Sequence, residues 1–362
     1  MNEHLYQELV EWINFWAAGE GFQQVGITDT DLVDHEEHLN LWLSKGYAGE
    51  MNYLSAHGIK RSQPAELIPG TERVICFRLD YLPEGTKPED IIATDRKAYV
   101  ARYSLGRDYH KVIRQKLKRI WQKIEAYLEQ QGLPSADGRV FTDSAPVLEK
   151  ALAQKAGLGW IGKNTLLMNR TAGSWFFLGE IYTSLPLPMS SPSVEQHCGT
   201  CTACIDVCPT NAILSPFELD ARKCISYLTI EHRGSIDPNL RAAMGNRIFG
   251  CDDCQVFCPW NKFAQYTTED DFTPRHNLDN IGLLELFAWT EEEFLSRTEG
   301  SAIRRTGFEG WQRNIAIALG NADYQAEIVQ TLNNALKGAS DLVAEHISWA
   351  IEQQRLKNVV RN

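Results

Sequence analysis

Apolar residues recur at helical spacing along the opening stretch YQELVEWINFWAAGEGF, where Leu9, Trp12, Ile13 and Trp16 share a face. A short run, QVGIT, then reads as a strand, and HEEHLNLWLSKGY returns to the helical period. RVICFRLDYL and AYVARYS are strand-like and give way to one long helix from about Tyr109 to Gln130, with Pro134 beyond its end. GRVFTD is a further strand running straight into a helix, APVLEKALAQKAG. GWIGKNTLLMN and GSWFFLGEIYTSLPL read as paired strands joined at Gly173. This alternation predicts an α/β sheet domain of more than one layer over residues 1–189.

Beyond it the pattern changes twice. Residues 190–265 carry almost all the cysteines and residues 266–362 look helical, so the 362-residue chain divides into three regions. With 43% hydrophobic residues it can bury a core without disulfide staples. Its start, MNEHLYQELVEW, lacks a basic and apolar leader pattern, and no stretch approaches the roughly 18 apolar residues of a membrane span. The expectation is a soluble, cytoplasmic protein with no membrane partner. A net charge of −11 argues against broad nonspecific nucleic-acid binding while leaving room for one local basic surface.

Eight of the nine cysteines fall between positions 198 and 258, as Cys198-x2-Cys201-x2-Cys204-x3-Cys208-Pro209, a lone Cys224, and Cys251-x2-Cys254-x3-Cys258-Pro259. Runs ending in Cys-Pro have the bacterial ferredoxin spacing, in which three close thiolates hold one cubane and the fourth reaches across to a second. Two 4Fe-4S clusters follow, one on Cys198, Cys201, Cys204 and Cys258, the other on Cys208, Cys224, Cys251 and Cys254. The wide gap between Cys224 and Cys251 marks residues 225–250 as an insertion that the clusters themselves do not require. Structural zinc is the competing reading, but the x3 spacing and the lack of two local tetrads argue against it.

Cys76 lies inside the apolar run VICFRL, where a free thiol acts as a small buried hydrophobe. The long helix carries Lys111, Arg114, Lys116, Lys118, Arg119 and Lys123 around a stripe of Ile113, Leu117, Ile120, Ile124 and Leu128, a solvated face with phosphate binding as the alternative. Asp143 ends a strand before Ser144 and Pro146 at a helix start. Two readings stay open for it: a helix cap, or a ligand-facing residue at a strand end.

Together with MNYL, Arg61 and PAELIPG, the segments ARYSLGRDYHKV, FTDSAPVLEKALAQKAGLGWIGKNTLL, GSWFFLGEI and HCGTCTACIDVCPTNAI resemble the epoxyqueuosine reductases, cobalamin-dependent enzymes that complete queuosine synthesis on tRNA. The resemblance runs from about Glu50 through Trp260. The cysteine run is shared by many ferredoxin-type proteins, whereas FTDSAP followed by GWIGKN ahead of it is far more specific.

The resemblance implies an α+β/α/β fold: a multi-layer cobalamin-binding α/β domain akin to that of reductive dehalogenases, a ferredoxin-like two-cluster module, and a helical tail. It implies reduction of epoxyqueuosine to queuosine at the tRNA wobble position by base-off cobalamin fed by the two clusters, with Asp143 as proton donor. Arg61, Asp143, Asn164, Ser226 and Asp252 are the expected corrin contacts, and His232, Arg233 and Gly234 of the insertion line cofactor and tRNA. The Asp-x-His-x-x-Gly signature of histidine-ligated cobalamin is incomplete, with Asp108 and His110 present but Ile113 in the glycine position, so His110 is expected as a helix-start residue. From about Asn280 the tail resembles one or two HEAT-type helix pairs. Arg304, Arg305, Arg313 and Trp311 are expected on the anticodon stem, or else as part of a packed helical cap.

The partners implied are a tRNA carrying epoxyqueuosine in its anticodon loop and an electron donor such as a flavodoxin or ferredoxin, with the enzyme a monomer. Two other readings are a noncatalytic ferredoxin-type electron carrier and a cobalamin-dependent reductase of a small molecule. The first leaves FTDSAP, GWIGKN and the insertion without a purpose. The helical tail speaks against the second.

Overall fold

The computed structural model describes residues 3–190 and 195–361. Its centre is a four-stranded sheet of β1 (Gln24–Thr28), β2 (Arg73–Asp80), β3 (Gly138–Phe141) and β4 (Phe176–Thr183), in the order β1-β2-β4-β3 and antiparallel throughout. β2 pairs with β4 along its whole length, from Arg73 opposite Thr183 to Asp80 opposite Phe176. The near-continuous apolar run of β2 is explained by cover on both faces. Ile75, Phe77 and Leu79 pack with Phe177 and Ile181 against α1 (Glu3–Gly19) and α3 (Tyr109–Gln130), α2 being Val33–Ser44. Val74 and Cys76 pack with Leu178 and Tyr182 against α4 (Glu149–Lys155). The result is three layers, with Cys76 fully buried among apolar neighbours, as its sequence context suggests.

Two features of α3 position the site. Its apolar stripe, Ile113, Leu117, Ile120, Ile124 and Leu128, is buried on the sheet, and Gly179 of β4 lets it approach closely, since a Cβ there would stand 2.6 Å from Ile113 Cγ2. Its first turn is fixed by Asp108, whose carboxylate accepts from the His110 amide. The opposite face is solvated and internally paired: Lys116 meets Glu269, and Arg119 and Lys123 meet Glu20.

Three local expectations are corrected. GWIGKNTLLMN and GSWFFLGEIYTSLPL touch through a single bridge, Asn169 with Gly173; Trp160–Ile161 pairs instead with Leu167–Met168, which frees β4 for the main sheet. In AYVARYS only Tyr99–Val100 is extended, and its parallel partner is Arg247–Phe249 of the insertion. The helix after β3 begins only at Glu149, because residues 142–147 form tight turns closed by Ala145 N to Thr142 O and Val147 N to Ala145 O. Asp143 therefore caps no helix; the residue before α4 is Leu148, which offers no side-chain cap.

The insertion supplies α5 (Ile225–Ile230) and α6 (Pro238–Met244), which pack against the tail helices α7 (Gly307–Asn321) and α8 (Asp341–Arg361). Ile230, Ile248 and Phe249 share one core with Ile315, Leu319 and Ile347. Two tail residues expected on RNA belong to this interior. Arg313 is fully buried and donates to the carbonyls of Leu228, His232 and Gly234, and Trp311 is fully buried against Trp289 and Phe294. With no surface, neither contacts an anticodon stem; Arg313 staples the insertion to α7. Among the described residues no helix is long and apolar enough to cross a membrane.

Candidate active site and cluster loops

The two cysteine loops fold so that sulfurs distant in sequence meet. A cavity of about 90 Å³ is lined by Cys198, Cys201, Cys204 and Cys258, with Lys163, Asn164, Met168 and Trp260 completing its wall. This is the crossed tetrad that the spacing calls for. Lys163 Nζ ties the first loop down by donating to Gly199 O and Cys201 O, while Cys201 itself is exposed. The remaining four thiols form the second group. Burial first, then the charges of Cys224, Asp252 and Cys208, hold the Cys254 thiol well above the ordinary range; burial, then Asp253 and Cys224, does the same to Cys251. Burial, then Cys258 and Cys198, raises Cys204 in the first group as well, and thiols that oppose one another's ionisation become thiolates beside bound positive metal, which fits the cubane ligation that the spacing implies.

The second constellation centres on Asp143. Its side chain keeps 39% of its surface, so it faces open space rather than the core. The Tyr109 hydroxyl donates to Asp143 Oδ2, and His110 Nε2 lies 2.5 Å from Asp143 Oδ1. The other ring nitrogen, Nδ1, lies 2.6 Å from Asp108 Oδ1, so the imidazole is clamped between two carboxylates. Burial alone would lower the His110 pKa, but hydrogen bonds and charge from Asp108 and Asp143 outweigh it and raise it to about 9. At neutral pH the ring is therefore imidazolium, and its Nε2–H is directed at Asp143 Oδ1 on a partly exposed side chain. Tyr109 is held in place by parallel stacking on Phe177 of β4, at 4.1 Å between centroids. His110 is thus the expected helix-start residue and also a partner of Asp143. The role of Tyr109 and His110 was hidden because Asp143 stands far from them in sequence; the Asp108-x-His110 pair was the available signal.

Around Asp143, four segments converge. Burial first, then the carboxylates of Asp143, Asp252 and Glu231, raise the Tyr103 hydroxyl, and Tyr53 is raised by burial and Glu231. Arg305 of the tail pairs with Glu231 of the insertion at 2.9 Å and lies over the Tyr53 ring. Arg61 is buried beneath this wall and donates to Tyr53 O and Leu54 O. Asp252 is buried too, its Oδ2 taken by Tyr99 Oη and the Arg102 amide. Asn164 donates to Cys254 O at the cluster wall, and Ser226 is half-buried in α5.

The residues expected on RNA divide the same way. His232 has Nδ1 near Glu50 and Nε2 at Ser235 O. Arg233 is exposed, but its outer nitrogens donate to Thr306 O and Arg305 O at 2.7 Å each, next to Gly234, whose own carbonyl accepts from Arg313. Arg304 is exposed at the same corner.

Comparison with known proteins matches this arrangement. The 4Fe-4S double cluster binding domain family matches residues 197–261, and the family described as Epoxyqueuosine reductase QueG, DUF1730 matches residues 61–144. An epoxyqueuosine reductase of Pseudomonas aeruginosa is 55% identical over 345 residues, covering 95% of this chain and 94% of the relative. The Escherichia coli epoxyqueuosine reductase is 53% identical, with coverage of 96% and 90%. Among solved structures, epoxyqueuosine reductase from Streptococcus thermophilus superposes with a TM-score of 0.84 at 27% identity, covering 99% of this chain and 91% of that one. An epoxyqueuosine reductase crystallised with an epoxyqueuosine-modified tRNA-Tyr stem loop gives a TM-score of 0.80 at 26% identity, with coverage of 97% and 100%. Full-length similarity at this level, with the double-cluster loops in place, makes the chain a member of the epoxyqueuosine reductase family.

Proposed function

We propose that this chain reduces epoxyqueuosine to queuosine at the wobble position of tRNA, with Asp143 as the proton donor. The observation that carries the reading is the Asp143 carboxyl group, free of any capping duty, partly exposed, and clamped by Tyr109 and the His110 imidazolium. Removing an epoxide oxygen as water takes two electrons and two protons, and side chains alone supply no such reductant. Cobalamin, fed by the two 4Fe-4S clusters, supplies the electrons when bound.

The donor set suits base-off cobalamin. His110 has both ring nitrogens held by carboxylates, and His232 has both occupied as well, so neither is free to ligate cobalt. Asp143 and Ser226 would face the corrin, Arg61 and Asp252, buried and engaged by protein, would support its wall from beneath, and Asn164 lies toward the clusters. In this reading Asp143 delivers to the epoxide oxygen, as the C–O bond opens, the proton it draws from His110, and Tyr109 fixes the direction of the carboxyl group. The wobble base reaches Asp143 only when splayed from the anticodon loop. His232, Arg233, Gly234, Arg304 and Arg305 form the rim that receives the loop. We read α7 and α8 as a HEAT-type pair supporting that rim. Electrons from a flavodoxin or ferredoxin would enter at the exposed Cys201 side, with the enzyme acting as a cytoplasmic monomer. A mere electron carrier would have no use for the Asp143 constellation.

The test is anaerobic incubation of the iron-loaded protein with cobalamin, a strong reductant and an epoxyqueuosine stem loop. Mass spectrometry of the nucleoside should show loss of one oxygen atom; unchanged epoxide would refute the proposal.

A further inference from the structure

Beside Asp143 lies a small, partly open cavity of about 110 Å³, bordered by Tyr109, Asp143, Glu149, Lys150 and Ser174, with apolar residues such as Leu167 and Phe177 lining the rest. Glu149 opens α4, six positions of turn and helix start after Asp143 on the same wall of the sheet domain. The cavity has room for at least one water to bridge the two carboxyl groups. We propose that Glu149 is a proton-relay residue, returning a proton to Asp143 across this cavity within each turnover. The inference rests on the acid role proposed for Asp143 and deepens it.

The groups facing Glu149 set its behaviour. Burial first, then the charge of Asp143, push its pKa up to about 8, against the opposing charges of Lys150 and His110. Lys150 is engaged with Thr165 O. Tyr109 donates to Asp143. From the sheet side come Glu180 of β4 and Cys76 of β2, which stand opposite one another and are fully buried. Both Glu180 oxygens lack a hydrogen-bond partner among the described residues, and burial, then Glu149 and Asp143, hold its pKa well above normal. Burial likewise keeps Cys76 a thiol. Glu180 and Cys76 are thus locked neutral, whereas Glu149 is protonated at neutral pH and can still ionise, which a relay requires.

Proton counting gives the relay its purpose. Both C–O bonds of the epoxide break, a C=C bond forms, two electrons enter from the reductant of the proposed function, and two protons end on the departing oxygen as water. The Asp143–His110 pair holds one proton. Glu149 holds the other, and passes it through the cavity once Asp143 has given up the first. Between turnovers bulk solvent returns one proton to Glu149 and one to the partly exposed Asp143–His110 pair.

The experiment uses the Glu149→Gln holoenzyme, whose amide keeps the shape and neutrality of the acid but releases no proton. Its single-turnover rate should fall about tenfold or more. The alkaline decline of the wild-type rate, which needs both His110 and Glu149 protonated, should lose one proton's steepness. Infrared titration of the Glu149→Gln protein without substrate should lack the carboxylic-acid band that disappears near pH 8 in the wild type, and Asp143→Asn should retain the band but lose it at a lower pH, since the charge of Asp143 helps to raise it. If Glu149→Gln disturbs iron or cobalamin content, Glu149→Asp must restore rate and steepness, since it keeps an acid. A Glu149→Gln enzyme with wild-type rate and steepness overturns the relay; if Asp143→Asn is then inactive the acid role survives alone, and if it is active both fail.

Discussion

The cysteine loops and the Asp143 constellation are assembled by opposite means. Within each loop the ligands follow one another at intervals of two or three residues, so local spacing almost dictates the cavity that Cys198, Cys201 and Cys204 share with Cys258. Asp143, by contrast, acquires Tyr109 and His110 only because α3 lies flat on the sheet and presents its first turn to the end of β3. Metal ligation tolerates a ligand arriving by a mobile loop, since the iron itself orders the loop. Proton transfer demands hydrogen-bond reach, which here is set by the first turn of α3 for Tyr109 and His110 and by the tight turn after β3 for Asp143.

The sharpest way to break the comparison lies in the loops. Cys224→Ser should cut iron from about eight to about four per chain and stop reductant-driven turnover, whereas Cys76→Ser should leave iron unchanged, as measured by iron analysis of anaerobic protein. At the acid site the effect should be smaller and graded. His110→Asn should slow single turnover roughly tenfold and remove a one-proton alkaline fall centred near 9, read from a pH–rate profile.

The same histidine gives a stability signature. Its folded pKa, about 9, lies above its ordinary 6.5, so its stabilising contribution is fully present below 6.5 and is lost as pH rises through 9. The wild-type melting temperature should fall over that window more than that of His110→Asn; parallel curves would mean that the clamp is not formed. The smallest effects belong to the rim. Replacing Arg304 and Arg305 together by alanine should weaken stem-loop binding and flatten its salt dependence by about 1.5 units of slope, if each meets one phosphate. Arg313→Ala should instead lower thermal stability, because it removes a buried staple from three carbonyls.

What the sequence conveyed follows the same division. The sheet strands around Val25, Ile75, Val140 and Ile181, the α3 stripe and the eight cysteines were legible because period and spacing are local signals. The start of α4 was not, because Ser144 and Pro146 are good helix-start residues and only the tight turns at Thr142 and Ala145 delay the helix to Glu149. Nor was the burial of Arg313 and Trp311. An arginine and a tryptophan on a helix near other cations look like an RNA surface until the insertion folds over them and offers carbonyls to the guanidinium. The pairing of β4 with β2 and β3, rather than with the preceding GWIGKNTLLMN segment, is likewise a long-range choice, decided by two covered faces.

The central claim is that Asp143 delivers the proton while the loops deliver the electrons, and the most direct measurement separates those two tasks in one variant. Asp143→Asn should retain a full complement of iron and normal cobalamin spectra, yet convert an epoxyqueuosine stem loop at least about 10²-fold more slowly in single turnover, followed by mass spectrometry of the base. Conversion at the wild-type rate by a fully loaded variant would contradict the account.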